Sequence, residues 1–199
     1  DYRASRHRVN PLIAHEIGTH VLTRHNGRRQ PLHTLAGGLC DYDVLQEGLA
    51  VLGEYLAGYL PADRLRILAA RVVAAHMAVG EEKGAEIYAC LVDEHGIRSK
   101  DAFDTAVRAK RGGGLTKDAL YLKGLEELIA YLSQDDEFEI LFLGKFALKQ
   151  LPSLQKLIDQ GILHHSELLP AYYDDEAARE RLAQARKLPL RALYQERPQ

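Results

Sequence analysis

The chain holds His15-Glu16-Ile17-Gly18-Thr19-His20 and, further on, Gln46-Glu47-Gly48-Leu49-Ala50, the residue types from which a hydrolytic metal site is made. Two imidazoles and a carboxylate are ordinary zinc ligands, and a catalytic zinc keeps a fourth position for water. Glu16, beside the first histidine, is placed to take the proton of that water as it attacks a polarised carbonyl. His15, His20 and Glu47 are therefore the candidate ligands, Zn2+ the candidate ion and Glu16 the candidate general base.

The histidine spacing imposes a structural condition. In a regular α-helix residues i and i+5 lie roughly 140° apart around the axis, so His15 and His20 would not meet at one ion. A single π-type turn brings them back to one face, and Gly18 lies where the helix must distort. A chance string in a chain with nine histidines is the bland alternative, and the carboxylate-bearing second motif weighs against it.

The elements that must position these residues read as helices. Asn10 and Pro11 predict an N-cap and first helical residue, and Asn26-Gly27 a left-handed stop, giving a metal helix over 11–25. Asp43 with Gln46 resembles a capping box, opening a second helix that carries Glu47 and packs through Leu49, Leu52 and Leu56. A third helix follows Pro61, with Leu65, Leu68, Val72 and Val79 at helical spacing and His76 on that stripe as a packed core histidine. Further helices are expected near 82–94, 100–110, 117–133, 136–150, 153–160 and 175–187, with a loosely held tail from Leu188. No segment alternates like a strand.

The motifs carry a family resemblance. HEIGTH, His25-Asn26-Gly27, QEGLA and Thr116-Lys117-Asp118-Ala119-Leu120-Tyr121-Leu122 resemble the microtubule-associated tyrosine carboxypeptidase family, whose bacterial members are called flavohemoglobin expression-modulating QEGLA-motif proteins. The likeness spans roughly residues 10–130. It implies a zinc metallopeptidase with an HExxxH helix, His15 and His20 as ligands, Glu16 as base, Glu47 as third ligand, and removal of a C-terminal residue. Tubulin as substrate does not carry over.

An enzyme of that kind needs a cation for the terminal carboxylate. Arg111-Gly112-Gly113-Gly114-Leu115-Thr116-Lys117 offers Arg111 and Lys117 beside a glycine-rich turn and an expected Thr116 N-cap. A solvated surface loop is the competing expectation. Tyr121, one turn beyond Lys117, is a candidate oxyanion donor or a packing residue. His25 and His33 are expected to stay outside the ligand set. Glu54, seven residues after Glu47, is either an acceptor for a ligand imidazole or a solvated face residue.

Composition bounds the rest. With 199 residues and 46% hydrophobic content, one domain with a true core is expected. A net charge of −2 and a pI near 6.5 give no basic field for nucleic acid or an anionic membrane. No run is long enough to span a bilayer. Two cysteines, Cys40 and Cys90, argue against a disulfide framework and suit a reducing, cytoplasmic setting. The chain opens at Asp1 without Met, so it is read as the C-terminal part of a longer catalytic domain, the β-sheet that usually precedes such a helix lying outside it. The expectation is a mainly α, multi-helical, zincin-like metallopeptidase fragment spanning 1–199 as one domain. Its substrate is expected to be a peptide or protein C-terminus, and its oligomeric state is not set by the sequence. A non-catalytic regulatory or binding protein on the same metal-site fold is the rival.

Overall fold

A computed structural model describes residues 6–111, 117–134 and 137–194 of the chain. The Gly112–Thr116 turn, with its expected N-cap, lies outside the described residues. Helices dominate and no strand occurs among the described residues. The first helix, α1, covers 9–29 as one rod made of Val9–His15, a π-helical turn Glu16–Val21 and Leu22–Arg29. It is followed by α2 (Thr34–Gly37), α3 (Tyr42–Leu56), α4 (Ala62–Val79), α5 (Gly84–Asp93) and α6 (Ser99–Lys110). Then come α7 (Lys117–Leu132), α8 (Leu151–Asp159) and α9 (Glu176–Ala185). No described helix is long and apolar enough to cross a membrane, and both cysteines are free.

The centre of the molecule is α3. Every residue from Leu45 to Leu56 is buried, because α1, α7 and α9 all pack on it. A helix enclosed on all sides must be short of exposed polar groups, and here the polar ones that are buried belong to the site. Its crossing with α7 is unusually close. A Cβ on Gly48 would lie 2.2 Å from the Gly124 carbonyl carbon, and one on Gly124 would lie 1.9 Å from the Val44 oxygen. The glycine of QEGLA is thus a packing requirement, and the contact it permits draws the α7 residues Lys117 and Tyr121 against the Glu47 turn.

Several boundaries differ from the sequence expectation. The first helix begins at Val9, after a 3-10 turn Arg6–Arg8, and Pro11 sits inside its first turn, where a missing N–H costs nothing. Asn26-Gly27 does not end it. Asn26 Nδ2 donates to the Phe142 and Leu168 carbonyls, both at 2.8 Å, and Gly27 admits the Leu35 backbone, so the pair is a joint between segments. Asp43 and Gln46 form no capping box: α3 starts from Asp41 at φ 65 with no side-chain cap, and Gln46 is used elsewhere.

Among the described residues 137–150, the helix expected over 136–150 is absent. The segment holds 3-10 turns at Glu139–Phe142 and Leu148–Gln150. Phe138, Ile140–Leu143, Phe146 and Ala147 are all buried, too continuous an apolar run for the one-sided pattern of a surface helix, and the segment threads the core by pairing Lys145 N–H with the Leu35 carbonyl at 2.8 Å. On α4 the buried stripe is Leu68, Ala70, Ala74, Ala75 and Ala78, while Val79 and His76 are exposed, which overturns the core assignment of His76. The tail is docked as far as it is described, with Leu193 fully buried.

Candidate active site

The π turn does what the five-residue spacing demands. The His15 and His20 rings face each other with centroids 5.3 Å apart at 81°. Glu47 rises from α3 beneath them, its Oε2 3.9 Å from His15 Nε2 and 3.8 Å from His20 Nε2. That oxygen is buried and has no hydrogen-bond partner. Donor pairs around a tetrahedral zinc, at bond lengths of roughly 2.0–2.2 Å, stand roughly 3.3–3.5 Å apart, so the three atoms need only a small closure.

Both imidazoles are oriented from behind. His15 Nδ1 lies 3.0 Å from Glu54 Oε1, and His20 Nδ1 lies 3.3 Å from Gln46 Oε1. An acceptor at Nδ1 fixes the tautomer that leaves Nε2 with a lone pair toward the centre. Glu54 is only 1% exposed and is itself gripped by Arg8 Nη1 at 2.8 Å and Arg64 Nη2 at 3.1 Å. Burial alone would raise its pKa, but the His15 hydrogen bond and the charges of Arg64 and Arg8 hold it at about 2. The choice between solvated face and imidazole acceptor is settled for the acceptor. Gln46 is steadied by Thr23 Oγ1, which donates to its Oε1 at 2.9 Å. Burial also lowers the His20 pKa, over the opposing pull of Glu47, and so favours the neutral ring that a metal binds.

Glu16 stands at the open edge. Its side chain is 57% exposed with Oε1 4.0 Å from His15 Nε2. Across from it Lys117 Nζ lies 3.4 Å from Glu47 Oε1 and 3.7 Å from Asp43 Oδ1, and the Glu47 charge raises its pKa against the effect of burial. The Tyr121 ring is stacked 6.3 Å from His15; burial, then the Glu47 charge, raises its phenol, so it keeps its proton. Arg111 is the sequence candidate that lies apart. It lines a cavity of about 330 Å3 with Arg71, Asp101, Asp104 and Arg108. His25 and His33 are exposed, outside the cluster as expected.

Two participants escaped sequence reasoning. Gln46 was readable only as a cap partner, although its place beside Glu47 in QEGLA was a usable signal. Arg71 on α4 is the other: its guanidinium carbon lies 5.7 Å from the centroid of the Tyr121 ring, and nothing in its local sequence marks it.

The class defined here is an all-helical scaffold that presents two imidazoles and a carboxylate at one point, with a second carboxylate at the mouth. The chain belongs to the microtubule-associated tyrosine carboxypeptidase family, whose description matches residues 1–188. Among curated relatives it is similar to microtubule-associated tyrosine carboxypeptidase 1 of Mus musculus, 29% identical over 184 residues, covering 86% of this chain and 38% of that protein. The Rattus norvegicus protein of the same name is 31% identical over 159 residues, 72% of this chain and 32% of the relative. The Homo sapiens one is 29% identical over 178 residues, 83% and 36% respectively. The chain thus spans about a third of the length of the relatives it matches.

Proposed function

We propose that this chain carries the catalytic helix and metal group of a zinc-dependent carboxypeptidase, which hydrolyses the last peptide bond of a peptide or protein. The observation that carries the proposal is the convergence of His15 Nε2, His20 Nε2 and the unpaired Glu47 Oε2 on one point, within reach of an exposed Glu16.

His15, His20 and Glu47 would hold the ion, with Glu54 and Gln46 keeping the two rings in place. Bound zinc supplies Lewis-acid polarisation of the scissile carbonyl and makes water a stronger acid. Glu16 takes the water's proton on its carboxylate and returns it to the leaving amine nitrogen, which it can do because its side chain is largely exposed at the mouth of the site, 4.0 Å from His15 Nε2. Lys117 neutralises one oxygen of Glu47 and leaves the other for the ion. Tyr121, protonated and beside His15, offers its hydroxyl to the oxyanion that develops on the attacked carbonyl. The names of the relatives support the C-terminal position of the bond. The free thiols suit a reducing compartment.

The test separates a base from a ligand. Glu16→Gln is expected to keep its zinc and lose hydrolysis of C-terminal peptides, while Glu47→Ala loses both. Equal metal loss in the two variants would show the roles to be misassigned. Full zinc with no turnover in the unmodified protein would favour a binding or regulatory role.

A further inference from the structure

Arg71 rises half-buried from α4, and among the described residues no carboxylate forms an ion pair with it: its guanidinium lies over the face of Tyr121, which separates it from His15, and the nearby Asp118 is engaged by Arg108. The neighbouring cations are engaged. Arg64 and Arg8 are taken by Glu54, and Lys117 by Glu47 and Asp43. Arg108 Nε donates to both Asp118 oxygens at 2.7 Å. Asp101 and Asp104 line the same cavity as Arg71 but pair with Arg98 and Lys100.

A guanidinium stays charged at any physiological pH, so burial without a partner is a cost that an arriving anion offsets. Burial, then repulsion by Arg64 and Arg108, pushes the Arg71 pKa down over the weaker attraction of Asp118. The cavity of about 330 Å3 beside it, edged by Arg108 and Arg111, provides the room.

We propose that Arg71 is the receptor for the free C-terminal carboxylate of a peptide, with Tyr121 between that subsite and the metal-binding group. The inference rests on the carboxypeptidase function proposed above and adds the subsite that defines its substrate end. A carboxylate fits better than a phosphate. One planar fork matches one carboxylate in two parallel hydrogen bonds, and the acidic Asp101 and Asp104 that line the cavity disfavour a doubly charged group. Arg111 and Lys117, the cations suggested by the glycine-rich turn, then play lesser parts, at the cavity edge and on Glu47.

The experiment compares a short peptide ending in a free carboxylate with the same peptide amidated. Binding is read by fluorescence anisotropy on the zinc-loaded Glu16→Gln protein, and hydrolysis on the protein with Glu16 intact. The acid is expected to bind about tenfold or more tighter than the amide, as a charged hydrogen bond implies. Arg71→Gln should bring that ratio to about one with zinc content unchanged, and should raise KM for the acid more than it lowers kcat. Arg71→Lys, which keeps the charge but not the fork, should give an intermediate ratio, and it carries the test if Arg71→Gln does not fold. The proposal is overturned if Arg71→Gln weakens acid and amide alike, or if the preference survives it and vanishes in Lys117→Gln. An Arg71-dependent preference without hydrolysis would sink the peptidase function and leave the subsite. Hydrolysis with a ratio indifferent to Arg71 would do the reverse.

Discussion

Around α3 and α7 the core is leucine and phenylalanine, with Leu45, Leu49, Leu52, Leu125, Leu128, Phe142 and Phe146 closely surrounded. Between α4, α5 and α6 it is largely alanine, with Ala70, Ala74, Ala78, Ala102, Ala106 and Ala109 around Ile87 and Leu91. Large side chains bury more apolar area per residue, so the first cluster is the stronger anchor. It holds α1 and α3, which carry His15, His20 and Glu47. The alanine cluster holds α6, which carries Arg108, and shares with the first cluster α4, which carries Arg71 and buries Leu68 among the leucines. The candidate metal ligands are thus mounted on the more heavily packed half, while Arg108 comes from the lighter one and Arg71 from the helix shared between them.

The comparison is most severely tested at the α3–α7 crossing. Gly124→Ala would force a methyl into the Val44 carbonyl, and a cost of about 3 kcal/mol or more is expected in urea unfolding. Gly37→Ala, where an added methyl meets nothing within 4 Å, should stay within about 0.5 kcal/mol. Equal costs would mean that the crossing yields easily and does not hold Glu47 in place.

Next in size is Glu54→Ala, which strips Arg8, Arg64 and His15 of their shared carboxylate. A loss of about 3 kcal/mol is expected, with zinc affinity down by about 10- to 100-fold. Unchanged zinc affinity on titration would show that His15 is held by packing alone. In the lighter half, Ile87→Val should cost about 1 kcal/mol and leave zinc content untouched. If metal content fell in step with stability there, the two clusters would be one energetic unit.

The smallest effect is expected at Tyr172, whose hydroxyl is buried near Gly53 without a partner. Tyr172→Phe removes an unsatisfied group, so stability should hold or rise by up to about 1 kcal/mol. Burial also pushes the Tyr172 phenol above its ordinary 10.0. A raised acid contributes stability that is complete below pH 10 and lost as the pH climbs beyond it, so the unmodified protein should weaken above pH 10 and Tyr172→Phe should weaken less. A clear loss of stability on Tyr172→Phe at neutral pH would reveal a bond to that hydroxyl.

What could be read from the sequence was whatever local geometry dictates. The five-residue histidine spacing cannot serve one point on a regular helix, and the π turn over Glu16–Val21 follows from that alone. Leu49, Leu52 and Leu56 announced a buried α3 by their period. What failed depended on partners distant in the chain. Asn26-Gly27 has the composition of a helix stop, yet the Phe142 and Leu168 carbonyls turn it into a joint. The 136–150 segment has helical residues, but Ile140 to Leu143 are buried in succession, and the core holds them in a 3-10 turn instead of a one-sided helix. Arg71 looked like any cation on an amphipathic helix until Tyr121 was brought against it from 50 residues away in sequence.

The central claim is that His15, His20 and Glu47 form one metal site, and zinc content measures it most directly. Metal analysis of the protein purified without chelator should find about one zinc per chain, and essentially none in the His15→Ala, His20→Ala double variant that remains folded by circular dichroism. Stoichiometric zinc in that folded double variant would contradict the account, because the ion would then be held elsewhere.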